Sequence, residues 1–562
     1  MSAQSGLLPP PAALHQVGES ALLAEYPGTA EVLAAAAAVR ALAPEHLVEL
    51  VPAERTLLLA GTHPRDVPAL SALLRELPAG EEQGGQGPEL TLGIVYDGED
   101  LEEAAALLGL STEALIEAHS AAEWTAAFGG FAPGFAYLVA GSDRDAAAWD
   151  VPRRTEPRTA VPAGAVGLAS RYCGIYPRSS PGGWQLIGRS AAELFDPHRE
   201  PPALLNPGTR VRFTPQRATA RIPAPALARA ARDAAALPGR LGRRRSASLA
   251  ASADRAVLEV VSPGPLTLLQ DAGRPGLAAI GVSTSGAFDQ GARVRANLAV
   301  GNPGHAAVLE ALSGPLMLRA LAPTVVAADG ACAPLEVLRR DADGAAPVHS
   351  ADGTHARPVA LDPGDRLTLG PATHGLRLVL AVRGGLRAEG GAVLAALSRD
   401  TLSGLGPAPL EPGDVLRAGD EHGLDAIPAL EAADPGATGA GEEREGAPLA
   451  VPALPGPRHA LLGPSALDAL HAAAWTVRQD SDRVGVRLEG PALPVPPGVG
   501  TLPSEPMVPG AIQVPPSGLP VVFGPDHPTT GGYPVIAVVT RAGLDLLAQA
   551  PPGTGVRFVL PG

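Results

Sequence analysis

The sequence predicts a mostly β protein with an α+β part at its N-terminus. Three observations carry this. The 562 residues include 67 Gly and 61 Pro, which break helices but suit a fold of many tight turns. From Phe128 onward the chain runs in short apolar stretches between Gly/Pro turns, the pattern of a barrel or sandwich. A turn-then-strand unit also recurs: Pro207-Gly208-Thr-Arg-Val-Arg-Phe213, Pro363-Gly364-Asp-Arg-Leu-Thr-Leu369 and Pro552-Gly553-Thr-Gly-Val-Arg-Phe558. Pro followed by Gly fits a type II turn, where Pro sets φ and Gly takes the positive φ of the next position.

The length implies several domains. Residues 14–95 alternate strand and helix patterns: Ala21–Tyr26, an Ala-rich helix from Ala30 to Leu42, Thr56–Ala60 and a helix from Val67 to Leu77. That is a small α+β domain, with a loop at 78–89. Residues 96–215 open with a helical stretch from Asp100 to Ala122, Thr112 being its expected N-cap, and continue as a barrel. Residues 216–256 form an Arg/Ala/Pro-rich connection; 216–255 alone hold nine arginines and two aspartates. Strand-and-turn text resumes in a first barrel domain at 257–430, then a loop at 431–448 and a second barrel part at 449–562. A longer echo supports tandem barrels of one kind. Val161-Pro-Ala-Gly164-Ala165 precedes Gly182-Gly183-Trp184, and Val508-Pro-Gly510-Ala511 precedes Gly531-Gly532-Tyr533, so Gly164 to Gly182 spans 18 residues and Gly510 to Gly531 spans 21.

Composition excludes several functions. The formal charge is 43 − 58 = −15, wrong in sign for nucleic acid. Two cysteines, Cys173 and Cys332, give no Cys-x-x-Cys site. The thirteen histidines are scattered without a His-Glu-x-x-His motif, so no metal is expected. No apolar run is long enough for a membrane span, and the expected location is the cytoplasm. The sequence contains no lysine. No P-loop lysine, Schiff-base lysine or biotinyl-lysine exists on this chain, and such chemistry must come from another.

The densest motif text lies between His119 and Arg189. Phe128-Gly-Gly-Phe131-Ala-Pro-Gly-Phe135-Ala-Tyr-Leu138 places four aromatics in eleven residues, while aromatics are 3% of the chain. Arg154 and Arg158 follow prolines or precede them closely, and a fixed guanidinium fork suits a carboxylate. A histidine ordinarily titrates near neutral pH, which makes His119 the best general acid/base candidate in this stretch.

The segments Gly130-Phe-Ala-Pro-Gly-Phe-Ala-Tyr-Leu138 and Ser180-Pro-Gly-Gly-Trp-Gln-Leu-Ile-Gly188 resemble the B subunit of bacterial 5-oxoprolinase over roughly 14–215. That family also includes the sporulation kinase inhibitor and half of the urea amidolyase carboxyltransferase domain. Leu269-Gln-Asp-Ala-Gly-Arg274, Ser285-Gly-Ala-Phe-Asp289, Asp482-Arg-Val-Gly-Val-Arg-Leu-Glu-Gly490, Gly510-Ala-Ile-Gln-Val-Pro515 and Thr529-Thr-Gly-Gly-Tyr-Pro534 resemble the C subunit over roughly 257–562. Members usually carry Asp-Arg-Gln before the last motif; here Asp526-His527-Pro528 stands instead.

The resemblance implies cyclophilin-like β-barrels in tandem and an ATP-dependent enzyme that opens 5-oxo-L-proline to L-glutamate together with a separate A subunit. No nucleic-acid or membrane partner is expected, and biotin is not expected on this chain. His119, Arg154, Arg158, Tyr176 and Asp526 are the expected chemical groups. Phe131, Phe135, Trp184, Gln185, Gln270, Asp271, Arg274, Asp289, Gln513, Thr529, Thr530 and Tyr533 are the expected substrate contacts. In this reading Arg154 and Arg158 hold a substrate carboxylate, and Arg154, Arg158 and Tyr176 face Gln513, Asp526 and Tyr533 across a pocket between barrels. Two alternatives follow from the same resemblance: a carboxyltransferase that takes its carboxyl group from carboxybiotin on another chain, and a regulatory binder of a sensor histidine kinase.

Overall fold

Residues 7–79, 87–141, 145–146, 148–217, 254–339, 349–351, 356–428, 447–499 and 502–561 are described by the structure, a computed structural model. Most of the expected connections at 216–256 and 431–448, and much of the 78–89 loop, lie outside the described residues. Arg255 and Ala256 already pair with Ala418 and Arg417 as strand.

The N-terminal unit is a four-stranded antiparallel sheet in the order Ala13–Val17, Ala21–Glu25, Thr56–Gly61, Leu47–Pro52. Alternation along the strands splits their side chains between two cores. Leu22, Leu57 and Leu59 pack under the helices Thr29–Leu42 and Val67–Arg75. Leu23, Val51 and Leu58 point the other way, onto Met507, Phe523, Val535 and Val538 of the last barrel. Sequence reasoning missed Ala13–Val17 and Leu47–Pro52.

The expected helix from Asp100 to Ala122 is two helices, Leu101–Leu107 and Thr112–Ala121. Gly109 at φ +69° breaks the path. Ser111 is the N-cap in place of Thr112, its hydroxyl accepting from Ala114 N–H at 3.2 Å.

Seven strands then curl in the order Gln185–Arg189, Ala165–Ala169, Tyr172–Ile175, Ala132–Ala140, Trp124–Gly130, Arg210–Pro215, Glu89–Ile94. Paired backbone bonds between Val95 and Arg189, both 2.9 Å, join the two edges. Glu89–Ile94, placed by sequence in the α+β unit, belongs to this barrel. The last domain is a closed barrel: Leu449–Pro455, Val535–Val539, Ala511–Gln513, Val521–Phe523, Gly485–Glu489, Trp475–Val477, Gly555–Val559. The two cyclic orders match strand for strand. In each, the final strand lies parallel to the first, Arg210–Pro215 on Glu89–Ile94 and Gly555–Val559 on Leu449–Pro455.

Between them, 255–418 forms two facing sheets of seven and five strands around one core, where sequence suggested a single barrel. The helix Gln290–Ala299 covers the outer face. No helix among the described residues is long and apolar enough to cross a membrane.

The repeated turns are what their residues require. Thr209, Asp365 and Thr554 N–H groups donate to Asn206, Asp362 and Pro551 carbonyls at 2.9, 3.0 and 3.1 Å. Gly208, Gly364 and Gly553 hold φ of +95°, +97° and +92°. A fourth copy, Pro412-Gly413, escaped the sequence reading; Gly413 has φ +94° and starts the strand Val415–Ala418. Nothing lies within 4 Å of a Cβ added at Gly208 or Gly553, so backbone strain alone opposes a side chain. Gly208→Ala and Gly553→Ala should each cost about 1–2 kcal/mol, read as a lower urea midpoint with unchanged far-UV circular dichroism.

Candidate functional site

Three pieces of chain meet where the first barrel, the middle domain and the last barrel touch. The tip of the Trp124–Gly130/Ala132–Ala140 hairpin is the contact from the N-terminal half. A Cβ on Gly129 would sit 2.3 Å from Ala279 O, and one on Gly130 would sit 1.9 Å from Thr530 Oγ1. Only glycine permits this approach. The next residue, Phe131, is an aromatic held at φ +62° and is 37% exposed. Its ring meets Phe135 and Tyr176 edge-on, and Phe135 packs against Trp184.

Behind Thr530 lies a buried polar cluster. Asp526 accepts from Ser285 Oγ at 2.7 Å, Thr401 N–H at 2.9 Å, Thr401 Oγ1 at 2.7 Å and Arg483 Nε at 2.9 Å. Arg483 also donates to Gly286 O at 2.6 Å and to Glu310. The arginine's charge and these donors hold the Asp526 carboxyl below the usual carboxylate range, against the opposing pull of burial. Asp271 accepts from Gly273 N–H, Leu397 N–H and Ser398 Oγ. Asp400 accepts from Ser283 Oγ, Leu402 N–H and Ser403 N–H. Gln270 Nε2 donates to Arg399 O at 2.8 Å, and Arg274 Nη2 donates to Ser398 O.

The structure therefore brings together Gln270, Asp271, Arg274 and Asp526, with Thr529 and Thr530 on the loop that follows. Gln513 lies beside that loop, its Nε2 3.4 Å from Tyr533 O, and Tyr533 is 36% exposed. Ser283, Ser285, Ser398, Asp400, Thr401, Arg483, Glu310 and His527 complete the cluster and were not singled out as site residues. Ser285, Arg483 and His527 lie inside quoted motifs, a signal that was present. Asp400 and Thr401 had none.

Several expected roles need correction. His119 is wholly buried. Tyr96 Oη lies 2.8 Å from its Nδ1 and Cys173 Sγ 3.4 Å from its Nε2. Trp124, Trp149 and Phe213 surround the ring. Burial drives its pKa down to about 3, so the ring stays neutral near pH 7 and takes up no further proton there. Trp124 Nε1 donates to His119 O as Trp475 Nε1 donates to Leu470 O. His119 thus stands where the other barrel has a leucine, and its role is packing.

Arg154 and Arg158 do not face the last barrel. Both donate to Asp100 Oδ1 at 2.7 Å, and Asp100 Oδ2 accepts from Leu186 N–H at 2.7 Å. They clamp the start of the Leu101–Leu107 helix to the barrel edge, so the forks expected to hold a substrate carboxylate are engaged by a carboxylate of the protein. Tyr176 is buried, its hydroxyl pushed up to about 12 by desolvation; it is no acid or base at neutral pH. Asp526 is a saturated ion-pair partner, not a free base. Asp289 caps the Gln290–Ala299 helix through Ala292 N–H at 2.7 Å and accepts from Gln549 Nε2 at 2.8 Å. Gln185 is buried in its strand with Oε1 unpartnered; nothing places it at the cluster.

This architecture is that of a carboxyltransferase-domain protein, and the chain belongs to that family. Residues 12–205 match the carboxyltransferase domain, subdomain C and D, and residues 280–560 match subdomain A and B. The N-terminal part is 40% identical over 178 residues to the B subunit of 5-oxoprolinase from Escherichia coli O157:H7, covering 31% of this chain and 79% of that one. The C-terminal part is 33% identical over 303 residues to the C subunit of 5-oxoprolinase from Escherichia coli K12, covering 54% and 91%. It is also 30% identical to urea amidolyase of Lachancea kluyveri, over 54% of this chain but only 17% of that protein. The crystal structure of TTHA0988 superposes with a TM-score of 0.75 at 31% identity, covering 96% of this chain and 99% of the other.

Two measurements follow. Arg158→Ala removes one of two guanidiniums from the buried Asp100 carboxylate and should cost about 1–3 kcal/mol, seen as a lower melting temperature. Unchanged melting would return Arg158 to a ligand-binding role. His119 is neutral when folded, whereas its unfolded counterpart takes a proton below 6.5. Stability should thus be full above about pH 6.5 and fall toward pH 3, by up to roughly 1.4 kcal/mol per pH unit from this group. His119→Leu, the residue of the equivalent position, should flatten that limb in urea titrations at pH 4 to 7.

Proposed function

We propose that this chain is the fused B-and-C component of an ATP-dependent 5-oxoprolinase, acting in the cytoplasm with a separate A subunit to convert 5-oxo-L-proline to L-glutamate. The observation that supports this best is the seating of the B-type half on the C-type half. The glycine tip of one lies directly on Ala279 and Thr530 of the other, beside a cluster of buried donors and acceptors. Interfaces between domains are common homes for small-molecule sites.

The residues in this cluster suit binding and orientation. Asp271, Asp400 and Asp526 are each engaged by three or more donors. His527 is buried, which lowers its pKa, and its Nδ1 donates to Pro528 O at 2.8 Å. Lactam opening coupled to ATP needs an activated carbonyl and a phosphoryl donor. In this reading the A subunit supplies the nucleotide chemistry, and this chain holds the lactam.

The match to urea amidolyase supports a second reading, transfer of a carboxyl group to an amide. Because the sequence holds no lysine, the biotin would be carried by another chain. One reconstitution separates the two. The purified chain alone should release little or no glutamate from 5-oxoproline. Adding ATP and the A subunit should release it. Carboxylation of an amide from carboxybiotin, with no glutamate formed, would replace the first reading by the second.

A further inference from the structure

The buried cluster contains a donor and an acceptor that the protein leaves open. Gln270 is fully enclosed; its Nε2 is used by Arg399 O, but Oε1 has no partner. Arg274 is 2% exposed; its Nη2 is used by Ser398 O, but Nε and Nη1 have no partner. Ser398 and Arg399 are consecutive, so the two side chains are anchored side by side on one stretch of backbone. An unpaired buried donor or acceptor is costly, and such groups in folded proteins are ordinarily satisfied.

Charge restricts what satisfies them. Asp271, Asp400 and Asp526 lie around Arg274, yet each directs its oxygens elsewhere. Counting Glu310 and Asp289, five carboxylates stand in this region with four buried guanidiniums, Arg274, Arg293, Arg377 and Arg483. The region holds no surplus of positive charge, and an added anion would leave an uncompensated buried charge. A neutral group that both accepts and donates fits better.

We propose that Arg274 and Gln270 form a recognition pair for the H–N–C=O edge of a lactam or unsubstituted amide. An open Arg274 N–H donates to the ligand carbonyl oxygen, and Gln270 Oε1 accepts the ligand N–H. The pair determines specificity by rejecting tertiary amides, which would leave Oε1 unsatisfied, and any carboxylate presented in the amide's place, which lacks the N–H and adds charge; the carboxylate of 5-oxoproline must stay outside the enclosed pair. This inference rests on the reading of the chain as a binder of amide-type substrates and names the residues that read the amide.

The test uses the full chain by itself, with no other 5-oxoprolinase component present, probed with 2-pyrrolidinone, N-methyl-2-pyrrolidinone and acetate by ligand-observed NMR titration. 2-Pyrrolidinone should bind, its N-methyl analogue should bind at least about tenfold more weakly, and acetate should not compete. Gln270→Met removes the acceptor and should bring the two lactams within about twofold of each other. Melting curves confirm that the variant is folded. Equal binding of the two lactams to the unaltered chain, displacement of 2-pyrrolidinone by acetate, or an undiminished preference in folded Gln270→Met would each overturn the proposal. The lactam comparison on the unaltered chain decides the matter even where a variant does not fold. N–H preference without glutamate release on reconstitution sinks the 5-oxoprolinase reading alone; glutamate release without N–H preference sinks the recognition pair alone.

Discussion

Arg483 is the interaction around which the C-terminal half is arranged. Its guanidinium is enclosed between Asp526, Glu310 and the Gly286 carbonyl. Those groups come from the last barrel, a strand of the middle domain and the loop before the Gln290–Ala299 helix. Glu310 in turn accepts from Phe288 N–H at 2.7 Å, and Arg377 stacks over the Phe288 ring at 4.5 Å. Burying such charges is favourable only when every lone pair and proton finds a partner; breaking a buried pair costs on the order of 3–5 kcal/mol. Here the partners come from separate domains, so the charges are satisfied only when the domains stand in one arrangement. The polar cluster inherits its geometry from that requirement.

The N-terminal half is added to this frame by apolar burial and a few directed bonds. The outward face of its four-stranded sheet closes over the last barrel through Leu23, Leu58, Phe523 and Val538. Glu49 accepts from Gly276 and Ala278 N–H groups, and Arg458 joins Glu25 to Glu505. Arg178 donates to the Leu402 and Ser403 carbonyls, the segment that also gives Thr401 to Asp526. The aromatic hairpin tip and the Asp526 loop are thus held in register from both sides. Gly130 can lie on Thr530 because neither a Cβ nor a water layer separates them.

Local chemistry was the legible part of the sequence. Pro-Gly turns announced their strands because type II geometry favours Pro at its second position and calls for Gly at its third, and the shared Gly-Ala and Gly-Gly-aromatic spacing pointed to two barrels of one kind, though not to their strand order. What stayed hidden depends on direction. Arg154 and Arg158 sit in rigid Pro-Arg text, but whether a fork meets ligand or protein depends on Asp100, more than fifty residues earlier. His119 has an ordinary solution pKa near neutrality, and only the fold encloses it with Trp124, Trp149 and Phe213. Asp400 and Thr401 carry no motif, since their roles come from contact with Ser283 and Asp526 across more than a hundred residues. Gln270 and Arg274 were legible as site residues; that their free atoms are one acceptor and two donors was not.

The covalent union of the two halves has its own physical consequence. Separate polypeptides must offset the lost freedom of two bodies before any contact is productive. Tethered halves meet at an effective concentration set by the connection between them. The interface of this chain can therefore be modest in area and still be fully formed. That relaxes the demand for a wholly apolar seam. Ser285, Thr401 and Asp526 are already solvated by one another within the C-terminal half, while the N-terminal half contributes the glycines of the hairpin tip, Phe131 beside them and the Arg178 guanidinium on the Leu402–Ser403 carbonyls. A seam that is polar behind and aromatic in front suits a small lactam ring, with its ring carbons against the aromatic edge, its amide turned inward to the buried donors and any carboxylate it carries turned outward.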